Sequence, residues 1–108
     1  MSVTKFTSLE IFKKTLKEKE SFMVFYYATW DSNSRRFLPI YSQCAVDNPE
    51  IEFYSVDVDP QHEIAEDQEV EKVPHFIIYK NGSVLTSYYG TSQKKLQTFV
   101  ESLANTKK

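Results

Sequence analysis

Apolar and polar positions alternate with two different periods along this chain, and the changes of period divide it into nine elements. Val3 to Phe6 alternates weakly and predicts a short first strand. Thr7-Ser8-Leu9-Glu10 then reads as a capping box in which Thr7 and Glu10 satisfy free helix amides, with a helix starting near Ser8. Leu9, Phe12 and Leu16 fall at helical spacing, with lysines on the opposite face, and the pattern fades near Lys19 or Glu20. Phe22 to Ala28 is apolar on both parities, as expected of a strand covered on both sides, and it is placed at the centre of a sheet.

After Trp30, the run Asp31-Ser32-Asn33-Ser34 offers side chains that cap free helix amides. Phe37, Leu38, Tyr41, Cys44 and Ala45 follow with helical period, which predicts a helix over about 33–46, kinked where Pro39 removes one backbone hydrogen bond. Ile51, Phe53, Tyr54, Val56 and Val58 mark another strand. Asp59-Pro60 reads as an N-cap with proline at the first helical position, opening an acidic helix over about 60–68. Two strands, at 75–80 and 83–89, flank Asn81-Gly82, a dipeptide suited to the positive φ of a tight hairpin. Gly90 ends the second, Thr91 or Ser92 caps, and Leu96, Phe99, Val100 and Leu103 give the last helix its apolar stripe, with residues from Ala104 onward expected to be loose. The order β-α-β-α-β-α-β-β-α combines parallel crossovers with a terminal antiparallel hairpin, so the expected fold is α/β with a mixed central sheet flanked by helices on both faces.

Composition narrows the possibilities. A chain of 108 residues has room for one core, so a single domain over 1–108 carries the whole function. The net charge of −2, with both signs interleaved, argues against a phosphate-binding face and hence against nucleic acid. The longest apolar run falls far short of the roughly 20 residues that span a bilayer, and the first residues are too polar for a signal peptide, so no membrane is expected and the cytoplasm or nucleus is the expected compartment. Cys44 is the single cysteine, so no disulfide forms within the chain. His62, His75 and Cys44 have no metal-ligand spacing, and neither a metal nor a cofactor is expected.

This order of elements, with Ala28-Thr29-Trp30, Pro39, Val56-Asp57-Val58-Asp59, Val73-Pro74 and Lys80-Asn81-Gly82, resembles the thioredoxin family from about Val3 to Leu103. The resemblance implies the thioredoxin fold and a cis bond between Val73 and Pro74. It also implies that the stretch after Trp30 is where the family carries Cys-x-x-Cys. Here those positions read Asp31, Ser32, Asn33 and Ser34. A carboxylate and an alcohol cannot perform disulfide exchange, so this comparison implies that the chain is not a disulfide oxidoreductase. Phe25 stands where redox-active members commonly bury an aspartate. What the resemblance leaves is the family's peptide groove, matched here by Trp30, Val73, Pro74, His75 and Gly90. The main expectation is therefore a redox-inactive adaptor or complex subunit that binds a protein or peptide there.

Each of these residues also has a plainer role. Trp30 is a binding anchor or a scaffold residue, Asp31 a thiolate mimic or an ordinary cap, and Arg35 and Arg36 ligand contacts or solvated surface groups. His75 either tunes recognition or merely starts a strand. Cys44, at core spacing, reads as a packed, inert thiol. Two alternatives remain: a thiol-dependent oxidoreductase that uses Cys44 with an external thiol such as glutathione, and a structural subunit that uses another face such as the Tyr88-Tyr89 edge.

Overall fold

The structure is a computed structural model and describes residues 3–106. The elements follow in the expected order: β1 (Thr4–Lys5), α1 (Leu9–Glu18), β2 (Ser21–Tyr27), α2 (Ser32–Asp47), β3 (Phe53–Asp57), α3 (His62–Asp67), β4 (His75–Lys80), β5 (Ser83–Tyr89) and α4 (Gln93–Thr106). The strands form one sheet in the order β1-β3-β2-β4-β5. β1 and β2 run parallel to β3, while β4 runs antiparallel to β2 and β5 to β4.

β2 is buried along its whole length because alternate side chains enter two different cores. Met23, Phe25 and Tyr27 meet Phe37 and Tyr41 of α2 and Leu96, Phe99 and Leu103 of α4. Phe22, Val24 and Tyr26 meet Phe12 of α1 and Ile64 of α3. Phe25 stacks on its cross-strand neighbour Phe76 with ring centroids 4.8 Å apart, and Phe76 stacks in turn on Tyr88 at 5.0 Å. The Tyr41 hydroxyl is within reach of the carbonyls of both Tyr54, at 2.9 Å, and Met23, at 3.2 Å, which fixes α2 over the β2–β3 pair.

Several boundaries differ from the sequence expectation for local reasons. Ser8, not Thr7, caps α1: its hydroxyl accepts from the Ile11 N–H at 3.1 Å. The helix after Asp59-Pro60 starts later than expected. Asp57 closes the preceding turn, its carboxylate accepting from the Asp59 N–H at 3.3 Å and its carbonyl from the Gln61 N–H at 3.0 Å, so Pro60 lies in the turn and α3 begins at His62. Pro39 lies inside α2 without ending it. Ala104 to Thr106 are helical, because the apolar stripe of α4 is anchored through Leu103; residues 107–108 lie outside the described residues. Asn81 and Gly82 take φ of 53° and 86°, the hairpin geometry their sequence favours. A bulge in the β4–β5 pairing leaves Leu85 without a ladder partner.

The second core holds a polar chain. The Tyr26 and Tyr79 hydroxyls are 2.7 Å apart, and the Tyr79 hydroxyl donates to Gln68 Oε1 at 2.9 Å. Each phenol has one hydrogen, so Tyr26 must donate to Tyr79. The chain continues from Gln68 Nε2 to Asp67 at 2.7 Å and from Asp67 to Lys13 Nζ at 2.8 Å, joining the sheet to α3 and α1. This polarity has a testable consequence. Tyr79→Phe strands the buried Tyr26 hydroxyl and is expected to cost about 1–3 kcal/mol, whereas Tyr26→Phe leaves the Tyr79–Gln68 bond intact and should cost less. Urea unfolding of both variants checks this; equal losses would contradict the assigned direction.

Candidate functional site

Trp30 stands at the mouth of the β2–α2 turn, held there by the chain on either side of it. Asp31 is the N-cap of α2 and its carboxylate accepts from the Ser34 N–H at 2.8 Å. Ser34 is wholly buried, and its hydroxyl accepts from the Ala28 N–H at 3.3 Å. The Asp31 N–H donates back to the Ala28 carbonyl at 3.2 Å, and Arg35 donates to the Thr29 carbonyl at 2.9 Å. Asp31, Ser34 and Arg35 therefore close the turn and leave the Trp30 ring outside, 68% exposed. Arg36 turns away, its guanidinium 4.8 Å from the Phe37 ring and 3.5 Å from the Thr91 carbonyl.

A second segment reaches the same place from α3. Glu69 adopts φ of 59°, and the Val70 N–H reaches the Ala65 carbonyl at 2.8 Å, ending α3 in a Schellman-type turn. The chain from Val70 to Val73 then runs beside Trp30 and meets the sheet through Pro74, whose peptide bond with Val73 is cis. Together with Val58 and Tyr89, these residues line a surface hollow of about 380 Å³ next to Trp30 and Asp31. Tyr89 is 55% exposed, and Lys72 Nζ lies 5.5 Å from its ring centroid.

Of the residues singled out in the sequence, Trp30, Asp31 and Val73 line this hollow, whereas Ser32, Asn33 and Ser34 do not. Pro74, His75 and Gly90 do not line it: the Gly90 N–H donates to the Pro74 carbonyl at 3.2 Å, and His75 pairs across the sheet with Tyr26 and Tyr89. The hollow also contains Val58, Val70, Glu71, Lys72 and Tyr89, which the sequence reading did not select. Sequence alone sets Tyr89 on a separate edge, with Tyr88. The register partner of Tyr89, His75, pairs in turn with Tyr26, so the ladder puts Tyr89 on the same face of the sheet as the α1–α3 core, the signal that could have separated it from Tyr88.

Cys44 occupies a different surface. It lies thirteen residues after Asp31 on α2, roughly 20 Å along the helix axis. It is half-buried and lines a cleft of about 600 Å³ between α2 and α4, with Ile40, Asp47, Leu96 and Val100 among its neighbours. Burial first, and the Asp47 carboxylate second, push the thiol pKa up.

The family model described as Thioredoxin matches residues 3–102. The chain belongs to the thioredoxin family. Over 98 residues it is 30% identical to Thioredoxin 1 of Plasmodium falciparum, a match covering 91% of this chain and 94% of that protein. It is 28% identical over 102 residues to the mitochondrial Thioredoxin-3 of Saccharomyces cerevisiae, covering 94% and 80%. The solution structure of oxidised thioredoxin from Plasmodium falciparum superposes with a TM-score of 0.87 at 30% identity, covering 95% and 99% of the two chains.

These likenesses correct the expectation that this chain is not a disulfide oxidoreductase. Relatives spanning nearly its whole length are thioredoxins, and one is known in an oxidised form. The exclusion rested on Asp31 and Ser34 in place of two cysteines, with Phe25 in place of an aspartate, and the likeness to thioredoxins over nearly the whole chain outweighs it. One relative is named mitochondrial, so family membership does not by itself assign the cytoplasm or nucleus. Among the described residues no helix is long and apolar enough to cross a membrane.

His75 supplies the pH-dependent test of this region. Burial lowers its pKa, an effect that the Lys72 backbone opposes in part. A histidine whose folded pKa is depressed contributes stability above its unfolded value, near 6.5, and that contribution is lost as pH falls through it. The urea midpoint is therefore expected to drop between about pH 7 and pH 5, and His75→Thr should flatten that drop. The same decline in both proteins would rule out His75 as its source.

Proposed function

We propose that this chain is a thioredoxin-family thiol oxidoreductase that works with one thiol, Cys44, in partnership with an external thiol such as glutathione. The observation that carries this reading is the position of the single cysteine, half-exposed in the α2–α4 cleft of a chain whose relatives are thioredoxins. In the first step the Cys44 thiolate attacks one sulfur of a disulfide, forming a mixed disulfide and expelling the other sulfur as a thiolate. In the second, a glutathione thiolate attacks the substrate-derived sulfur of that mixed disulfide. The new disulfide joins glutathione to the substrate fragment, and Cys44 leaves as thiolate. Cys44 is regenerated, and a second glutathione thiolate attacks the glutathione sulfur of the new disulfide, expelling the substrate fragment as thiolate and leaving oxidised glutathione, so that two glutathione thiols together supply the two electrons that reduce the original disulfide.

The raised pKa makes the pH dependence specific. The thiolate is the nucleophile, so the rate of adduct formation should still be climbing at pH 9, and Asp47→Asn should raise the rate at fixed pH by removing a like charge. Mass spectrometry of the folded chain mixed with oxidised glutathione, followed by a glutathione-coupled reduction assay, tests both steps. The proposal requires one glutathionyl group on the wild type, none on Cys44→Ser, and turnover that disappears with Cys44. An adduct that forms only after denaturation would refute it.

A second reading concerns the other surface. The exposed Trp30 beside Tyr89, Val73 and Val70 favours binding of an extended protein or peptide segment in the hollow at the start of α2. An aromatic anchor of this type commonly contributes about 2 kcal/mol or more to binding. Pro74, His75 and Gly90 would support that surface.

A further inference from the structure

The hollow beside Trp30 combines two kinds of group that attract a cation. Trp30 and Tyr89 are exposed aromatic rings of its lining, and Asp31 and Glu71 contribute carboxylates. Asp31 is engaged in capping α2, which leaves Glu71 as the carboxylate of the pair without that duty. The one basic residue of the lining, Lys72, has its ammonium 5.5 Å from the Tyr89 ring centroid, so one aromatic wall already faces a cation. The surroundings carry the same sign. Residues 57–71, which supply Val58, Val70 and Glu71 to the hollow, hold seven carboxylates and no lysine or arginine. One of these, Asp67, is neutralised by Lys13 at 2.8 Å. The lining itself holds two carboxylates against the one ammonium of Lys72, and Arg35 is tied to the Thr29 carbonyl beside Trp30, so the balance at the hollow with its acidic flank favours a basic segment.

We propose that the hollow selects a basic side chain, arginine above all, presented by an extended polypeptide. This rests on the second reading above, that the hollow binds such a segment, and adds its chemistry. The planar guanidinium stacks against Trp30 while Glu71 accepts its hydrogen bonds, a combination an aliphatic side chain cannot make. Lys72, whose ammonium faces the Tyr89 ring, is a like charge within the same hollow and opposes the incoming guanidinium.

Trp30 is the single tryptophan, so its fluorescence reports occupancy directly. The probes are three blocked pentapeptides, Ala-Val-X-Val-Ala, with arginine, norleucine or glutamate at the centre, titrated at low and moderate salt. The arginine peptide is expected to bind at least about fivefold tighter than the norleucine peptide, the glutamate peptide more weakly than either, and the arginine preference should shrink as salt rises. Glu71→Gln should reduce arginine binding several-fold and leave norleucine binding unchanged. Lys72→Ala should tighten arginine binding. Circular dichroism of each variant confirms folding before titration. Equal binding of all three peptides would overturn the basic specificity while leaving the peptide-binding reading intact. Absence of any fluorescence or indole NMR change with all three would remove both.

Discussion

The stack of Phe25 on Phe76, continued by Tyr88, couples the two middle strands of the sheet to both helices of one face. Phe25 also lies 5.0 Å from Tyr41, whose hydroxyl reaches the carbonyls of β2 and β3, so the sheet and α2 are fixed by one cluster of rings. Offset aromatic pairs add modest directional energy to a large apolar burial. Their further effect is positional. A helix held this firmly along its middle presents its N-terminus and its later turns as two fixed surfaces, and the hollow beside Trp30 and the cleft beside Cys44 lie at these two places.

At the first surface, Asp31 and Ser34 are part of the frame. The Asp31 carboxylate and the Ser34 hydroxyl accept the amides of Ser34 and Ala28, respectively, which tightens the turn under Trp30. At the second, Cys44 faces a cleft whose Asp47 carboxylate disfavours the thiolate. A reactive thiol is ordinarily assisted by positive charge or a helix N-terminus. Among the described residues lining the cleft none is basic, and Cys44 lies far from the N-terminus of α2, so thiol exchange through it would be slow near neutrality and would depend on a good external thiol to complete each turn.

Much of the fold was legible from period alone. β2 announced itself by apolar residues on both parities, and Asn81-Gly82 fixed the hairpin because few other dipeptides tolerate two positive φ angles. The misplaced boundaries came from competing local hydrogen bonds: Ser8 outcompeted Thr7 as a cap, and Asp57 captured the turn that Asp59-Pro60 had suggested as a helix start. The candidate site was only partly legible. Trp30 and Val73 could be selected from motif likeness, but Val58, Glu71, Lys72 and Tyr89 meet them only after a sheet ladder, a left-handed residue at Glu69 and an irregular loop have set their directions. Side-chain convergence of that kind is a property of the folded chain and leaves no local pattern. The expectation that the chain is not a disulfide oxidoreductase failed for a different reason, since it was drawn from a few positions while the likeness to thioredoxins runs over nearly the whole chain.

The account separates two surfaces on α2, a thiol cleft with α4 and an aromatic, acidic hollow at the helix start. The most direct test of that separation is an amide chemical-shift map of one labelled sample, titrated first with oxidised glutathione and then with the arginine pentapeptide. The predicted result is two sets of shifts, one centred on Cys44, Leu96 and Val100 and the other on Trp30, Glu71 and Tyr89, with the second ligand leaving the first set in place. A single shared set of perturbed residues, or loss of one ligand when the other binds, would contradict it.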